Sequence, residues 1–342
     1  MESIWLFLWC FNNIAVTIFS RVEFRHPYLM ASSGMFISSL GSFFIFRVVD
    51  SYERVKRSLS SNSLTDDVES FALGMKDTRE KKISPVVGLQ SNLGKFITKL
   101  LGDIKRKPLD KTTNKIQILI ISLLFSLRII VEKISLEHVS MNFNQAMLSL
   151  VPAATMAVEI LLGKTISLPR VLAIFPVIIG VAFTCYGDMY YETTGLIYEV
   201  LSIFLVAART IVAGEMLSES ISIHPVDLLS RIAPLAFMQL LTFSALTGEM
   251  SFAISRSTIS FWDLCLVIAG GILQFSLNIE YLQASKLTSP LTLCIAGNVK
   301  QVLLVGLATF IFSTPLTAMN ATGIFTALFG SVAYSYYSAA EK

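Results

Sequence analysis

Charged residues are scarce in this chain. Only 15% of its 342 residues are Asp, Glu, Lys or Arg, whereas soluble domains carry about 25%. Hydrophobic residues make up 54%, and the mean hydropathy is +0.66. This composition excludes an ordinary soluble domain and indicates an integral membrane protein. The formal net charge is only +3, and we expect no nucleic-acid partner.

Cysteine, histidine and catalytic motifs are also scarce. The cysteines lie inside apolar runs without a CxxC pair, and the histidines show no metal-ligand spacing, so no disulfide, metal or other cofactor is expected. No HExxH, GxSxG or Walker-type motif is present, which argues against a hydrolase or an ATP-driven pump. We therefore expect no enzyme. The four cysteines and three histidines are Cys10, Cys185, Cys265, Cys294, His26, His138 and His224.

Long apolar runs are what the chain has in abundance. A helix needs about 20 apolar residues to cross a bilayer, and the runs predict an all-α membrane protein with ten transmembrane helices. Residues 1–50 carry the first two helices, 51–115 form a basic loop, and 116–342 carry the other eight. The predicted spans are Ile4–Ser20, Tyr28–Val49, Ile116–Val131, Val139–Leu162, Val171–Tyr186, Gly195–Leu217, Leu228–Leu246, Phe261–Leu282, Ser289–Phe312 and Thr317–Tyr337.

The loop 51–115 holds 14 of the 27 Lys and Arg residues. Since basic loops favour the cytoplasmic side, this loop and, with an even number of spans, both termini are predicted to be cytoplasmic. Its Ser-rich part, 58–70, is expected to be disordered. From Leu93 to Ile104, apolar residues recur at helical spacing with lysines between them. That pattern fits either a short helix on an anionic leaflet or a solvated loop helix.

A weak internal repeat supports the even span count. When the chain is shifted by 150 positions, residues 161–186 align with 311–336, and Gly180 matches Gly330. Five spans in each half would give the halves opposite orientations. Inverted repeats of this kind are a transporter architecture with the binding site near the midplane.

Lys300 in the ninth predicted span and Arg209 in the sixth are two cations at similar depth. Such a cation costs roughly 2.5–3.5 kcal/mol on insertion scales, so a partner or a ligand must compensate for it. Together they would suit a phosphate or pyrophosphate, which Arg binds as a planar fork and Lys as a point charge. Alternatively, Glu199 and Glu280 pair with them for structure. The candidate substrate-binding residues are Lys300, Arg209, Gln301, Asn298, Asn278, Gln145, Asn144 and Tyr281; the amides alternatively join helices by hydrogen bonds.

Two segments resemble a known family. The run 135–168, SLEHVSMNFNQAMLSLVPAATMAVEILLGKTISL, and the run 289–342, with its GNVK motif ending at Lys300, are similar to the triose-phosphate translocator and nucleotide-sugar transporter family. That family belongs to the drug/metabolite transporter superfamily. The resemblance covers about 116–342 well and 5–27 loosely. It implies the ten-helix drug/metabolite transporter fold, built as two inverted five-helix repeats, and exchange by alternating access at a central site.

The resemblance also assigns roles. Lys300 matches a lysine that contacts the substrate phosphate, and Arg209 and Asn278 match an Arg and an Asn of the family's sixth and eighth spans. Gln301 stands where plastid sugar-phosphate translocators have an Arg. Plastid members also have a His and a Lys near the positions of Gln145 and Leu148. With fewer cations, this chain resembles the endomembrane, nucleotide-sugar-like members more closely.

We therefore expect an antiporter of the Golgi or endoplasmic reticulum that exchanges a nucleotide sugar for a nucleoside monophosphate; a plastid-type membrane is less favoured. Lys300 and Arg209 would hold phosphates, and Gln145, Asn278 and Asn298 would orient the rest. Its partners would be a small anionic substrate and membrane lipid, and the sequence leaves open whether it forms a homodimer. One alternative exchanges phosphorylated C3–C6 metabolites for phosphate. Another is a non-transporting membrane protein that recruits partners or lipids through its basic loop.

Overall fold

The computed structural model describes residues 5, 7–14, 16, 27–73, 96–97, 101, 104, 106–107, 112–163, 165–187, 192–218, 221, 223–251, 261–287, 297, 300, 303 and 317–340. At some helical positions, 55–73 among them, it describes the backbone alone.

The described elements are all helical apart from turns and a single bridge residue. Four of these helices contain stretches long and apolar enough to cross a membrane, and three shorter apolar helices accompany them. The protein is thus an all-α membrane protein. In chain order the helices are α1 (Pro27–Leu73), α2 (Thr112–Leu136), α3 (Met141–Met147), a 3₁₀ turn (Leu148–Leu150), α4 (Val151–Leu161), α5 (Leu168–Gly187), α6 (Thr193–Leu217), α7 (Pro225–Leu246), α8 (Phe261–Leu287) and α9 (Ala318–Ala340).

The first and ninth predicted spans, Ile4–Ser20 and Ser289–Phe312, lie largely outside the described residues. Their described residues, such as 7–14, 297 and 300, are helical. The fourth predicted span is interrupted by the 3₁₀ turn that separates α3 from α4. Pro152 stands at the start of α4, and it has no N–H to donate to the preceding turn, so the helix ladder is broken there.

Helix α1 differs from its predicted extent. It continues past Val49 to Leu73, through the Ser-rich stretch 58–70 that composition predicts to be disordered. At the start of this extension Arg54 bonds Asp50 one turn earlier, and i,i+4 pairs of this kind support helix.

Leu101, Ile104 and Lys107 lie against the helix bundle. Leu101 and Ile104 are 6% and 5% exposed and belong to the main apolar core. The Leu101 carbonyl lies 3.0 Å from Nε2 of His224 and accepts from Nε2 of Gln283 at 3.3 Å. This end of the predicted loop helix is thus packed into the protein, whereas Phe96 near its start is 62% exposed.

Helices α5 and α9 cross at very close range because glycines line the contact. A methyl group on Gly180 would meet the backbone of Ala327, and one on Gly330 would lie 2.6 Å from the backbone nitrogen of Val177. Residue numbers increase along α5 in the direction in which they decrease along α9, so the two helices are antiparallel. The 150-residue shift exchanges Gly180 with Gly330 and Val177 with Ala327, so the two contacts are equivalent under the internal repeat.

The contacts between helix ends sort the described chain into two sides. On one side, the carboxylate of Glu249 accepts from the backbone N–H groups of Tyr28 and Leu29 at 3.1 and 3.0 Å, which satisfies the free donors at the start of α1. On the other side, Oδ2 of Asp227, in the first turn of α7, accepts from the N–H of Lys107 at 3.1 Å.

Candidate functional site

The two predicted cations are linked through aromatic rings. The guanidinium carbon of Arg209 lies 4.5 Å from the ring centre of Phe125 and 5.4 Å from that of Tyr281. The Tyr281 ring is 6.0 Å from the ring of Trp9, and Nζ of Lys300 lies 5.2 Å from the Trp9 ring centre. We call these five residues the cation–aromatic site.

Five different parts of the chain build this site. Phe125 is on α2, Arg209 on α6, Tyr281 on α8, and both Trp9 and Lys300 come from the two stretches of which the structure describes only a part. Trp9 and Phe125 are 7% and 3% exposed. The negative faces of the rings stabilise the two cations where water is excluded.

The carboxylates that could have neutralised these cations have other partners. Glu199 is fully buried and accepts from Asn144 at 3.0 Å and from Ser135 at 2.8 Å. Glu280 accepts from Asn12 at 3.1 Å and from a serine of its own helix. Among the contacts of the described residues, neither Glu199 nor Glu280 forms an ion pair with Arg209 or Lys300.

A third cation acts on the site. Arg128 follows Phe125 by three positions on α2 and pairs with Glu132 at 2.9 Å. Its charge acts on both Arg209 and Lys300, and the charge of Glu132 acts on Lys300. Within the described chain, Nε of Arg128 is buried without a hydrogen-bond partner. Three cations against one carboxylate leave two positive charges.

The sequence reading missed Arg128, Trp9 and Phe125. The rule that selected Arg209, a cation inside a predicted span, applies equally to Arg128 and could have found it. The two aromatic residues carry no such signal, because aromatic side chains are common in apolar runs and only the fold brings these rings to the cations.

The predicted amides have different outcomes. Asn144 is 1% exposed and holds Glu199, so it joins α3 to α6. The amide nitrogen of Asn278 lies 3.8 Å from the sulfur of Met35 on α1. The side chains of Gln145, Asn298 and Gln301 lie outside the described residues.

This arrangement suits a ligand with two features. Its excess of two positive charges matches the charge of a phosphate monoester, about −1.5 to −2 at pH 7. Its neighbouring rings, Trp9 and Tyr281, offer flat apolar faces on which a planar group can stack. For metal ions, no group of three or more His, Cys, Asp or Glu residues with suitable geometry occurs among the residues that the structure describes.

One solved crystal structure supports the fold. It aligns with this chain at a TM-score of 0.52 and 10% identity, covering 100% of this chain and 97% of the other. At this identity the likeness concerns the fold alone.

Several curated relatives are similar in sequence. A probable sugar phosphate/phosphate translocator of Arabidopsis thaliana is 28% identical over 70% of this chain and 67% of its own length. A second protein of that description is 27% identical over 58% of this chain, and the match spans about half of it, 53%. The GDP-mannose transporter GONST5 of the same plant is 26% identical over 74% of this chain and 75% of its own length.

The family model agrees with the resemblance of the two segments. The model of the Triose-phosphate Transporter family matches residues 89–335, which is most of the chain and includes Arg128, Arg209, Tyr281 and Lys300. Members of this family are transporters, so the protein is a membrane transporter and not an enzyme, and the alternative of a non-transporting recruitment protein is set aside. The chain belongs to the Triose-phosphate Transporter family.

Proposed function

We propose that this protein is an antiporter that exchanges a nucleotide sugar for a nucleoside monophosphate. The observation that carries the proposal is that two cations, Arg209 and Lys300, lie over two neighbouring aromatic rings, Tyr281 and Trp9, in one site. Arg209 and Lys300 would bind the phosphates, as Arg and Lys do with fork and point-charge geometry, and Trp9 and Tyr281 would stack on the base.

The charge balance supports an exchange mechanism. The cations of the cation–aromatic site have no carboxylate partner among the described residues, and their contacts are with rings. A site left with excess positive charge inside a membrane is unfavourable when empty. A carrier that is stabilised by either anion would change its orientation more readily when loaded, and this favours one-for-one exchange.

The helix arrangement supports alternating access. We infer two inverted repeats of five spans with both termini cytoplasmic, in agreement with the reciprocal glycine contacts of α5 and α9. The central site would lie between the repeats, and rocking of the halves would expose it to each side in turn. By the resemblance to endomembrane members, the protein would work in the Golgi or endoplasmic reticulum.

A second candidate function is the exchange of phosphorylated C3–C6 metabolites for inorganic phosphate. The names of two relatives, both probable sugar phosphate/phosphate translocators, favour it. The same cations would bind such a substrate, but the stacking faces of Trp9 and Tyr281 would have no planar group to contact.

Counterflow into proteoliposomes separates the two functions. Vesicles are preloaded with nucleoside monophosphates or with inorganic phosphate, and uptake of labelled nucleotide sugars and sugar phosphates is measured. We expect uptake of a nucleotide sugar only into vesicles that contain a nucleoside monophosphate. Uptake driven by phosphate alone would support the second function, and uptake that no internal anion accelerates would exclude both.

Two variants test the site. Lys300→Ala should reduce exchange at least about tenfold, the equivalent of 1.4 kcal/mol, while Lys286→Ala, at an exposed lysine in the last turn of α8, should leave it unchanged. Trp9→Leu should weaken nucleotide-sugar exchange while Trp9→Phe largely preserves it. If Lys300→Ala exchanges normally in folded protein, the assigned site is wrong.

A further inference from the structure

A second basic site lies at the end of the bundle where α2 and α7 begin. It is a groove of about 450 Å³ lined by Lys115, Ile118, Arg231, Pro234 and Leu235. It shares no residue with the cation–aromatic site. This end also holds Lys107, which bonds Asp227 and Arg231, and we infer that it faces the cytoplasm because of the basic loop 51–115.

Arg231 is held in a fixed position in this groove. Its Nε and Nη2 donate to the carboxylate of Asp227 at 2.9 and 3.2 Å, and Nη2 also donates to the carbonyl of Lys107 at 2.7 Å. Asp227 is fully buried, so the guanidinium group of Arg231 cannot rotate freely. The hydrogen bonds of Arg231 within the described chain leave Nη1 available to an anion.

Lys115 supplies the second cation. It is exposed in the first turns of α2 and has no ion pair with any residue that the structure describes. The local charges of Lys115, Arg231 and Asp227 sum to one positive charge, and the exposed cations of Arg106 and Lys107 lie on the same side. The groove is therefore positive and accessible.

Below the cations the groove is apolar, and on both helices the apolar residues follow the cation at the same spacing. On α2, Ile118 and Leu119 follow Lys115 by three and four positions, and on α7, Pro234 and Leu235 follow Arg231 by the same spacing. Residues three and four apart share a helix face. Leu119 is 52% and Leu235 37% exposed, so the cations at the membrane edge continue into an apolar strip directed toward the bilayer interior.

We propose that this groove is a binding site for an anionic phospholipid. Lys115 and Nη1 of Arg231 bind the headgroup phosphate, and one acyl chain lies along Ile118, Leu119, Pro234 and Leu235. Basic pockets between helices on the cytoplasmic side are suited to anionic headgroups. A free nucleotide or sugar phosphate would leave the apolar strip uncovered, which favours a lipid as the occupant.

The proposal connects the lipid to the docked loop segment. The guanidinium that binds the headgroup also holds the carbonyl of Lys107. A bound phosphate adds a negative charge beside Arg231 and Lys115. The bound lipid thus stabilises the position of Lys107 against α7 as well as the folded protein.

Native mass spectrometry of the full-length protein in neutral detergent tests the site. Dioleoyl phosphatidylserine and dioleoyl phosphatidylcholine are compared at equal concentration, with inorganic phosphate as a third arm. We expect phosphatidylserine to bind at least about tenfold more tightly than phosphatidylcholine, the equivalent of 1.4 kcal/mol, and to raise Tm by mass action. Equal binding of both lipids, or competition by millimolar phosphate, would overturn the proposal.

Charge variants complete the test. Lys115→Glu and Lys115→Gln should remove most of the preference for phosphatidylserine, and Lys286→Glu, an equal charge reversal at an exposed lysine outside the groove, should keep it. Retained preference in both Lys115 variants would contradict the proposal. Exchange activity in proteoliposomes is measured separately, so the loss of lipid binding is distinguished from a failure of the transport assignment.

Discussion

Single charged side chains are accommodated in this membrane protein in two different ways. The cations Arg209 and Lys300 lie against aromatic rings, which leaves them available to an anionic ligand. The carboxylate of Glu199 is instead surrounded by neutral donors, Ser135 and Asn144. This contrast supports the proposal that the cations bind substrate, whereas Glu199 holds helices together, since its oxygens have partners from two other helices.

The structural role of Glu199 can be tested by deletion of its carboxylate. Glu199→Ala should lower Tm, because the buried amide of Asn144 loses the carboxylate that accepts from it, and such a loss costs about 1–3 kcal/mol. Glu215→Ala, at an exposed position of the same helix α6, is the matched control and should change Tm little. Equal effects of the two variants would mean that the carboxylate does not hold these helices.

At the scale of elements, the crossing of α5 and α9 depends on the absence of side chains. Gly180 and Gly330 each lie against the backbone of the opposite helix, so the helices approach more closely than larger residues allow. Small residues at such crossings permit close backbone packing, which is a main source of helix association in membranes.

Alanine substitutions test this crossing. Gly180→Ala and Gly330→Ala should each destabilise the protein by about 1–3 kcal/mol, because the added methyl group overlaps rigid backbone. Gly214→Ala on α6 is the control, since a methyl group there meets nothing within 4 Å; it should be neutral or stabilising by up to about 1 kcal/mol. The readout is Tm in detergent, and equal values for the three variants would contradict the close crossing.

At the scale of the whole molecule, the contacts between helix ends imply an orientation. Tyr28 and Glu249 lie at one side of the bundle, and Lys107 and Asp227 at the other. By the positive-inside rule, we expect the side of Lys107 to face the cytoplasm.

Protease protection in sealed vesicles tests this orientation. Epitope tags inserted between residues 74 and 95 or added after Lys342 should be digested from the cytoplasmic side without detergent. A tag inserted between residues 252 and 260 should be digested only after detergent is added. Protection of the tag after Lys342, with digestion of the tag in 74–95, would contradict the even number of spans.

The sequence predicted most of the architecture. Eight predicted spans correspond to described helices, although α1 extends to Leu73 and the fourth span is broken near Pro152. The extension to Leu73 was not predicted, because a Ser-rich composition poor in large apolar residues is typical of disordered segments. The identification of the family was confirmed by the match over residues 89–335.

That this chain is a helical membrane protein with cations inside its spans follows from its sequence alone, because hydropathy and charge are properties of each residue and set its cost of entering a bilayer. What those cations contact depends on the fold. Trp9 and Lys300 are almost the whole chain apart, and Arg128 joins Arg209 from another helix. Such neighbours depend on helix packing, which no local pattern specifies, and it is packing that separates the carboxylates Glu199 and Glu280 from the cations.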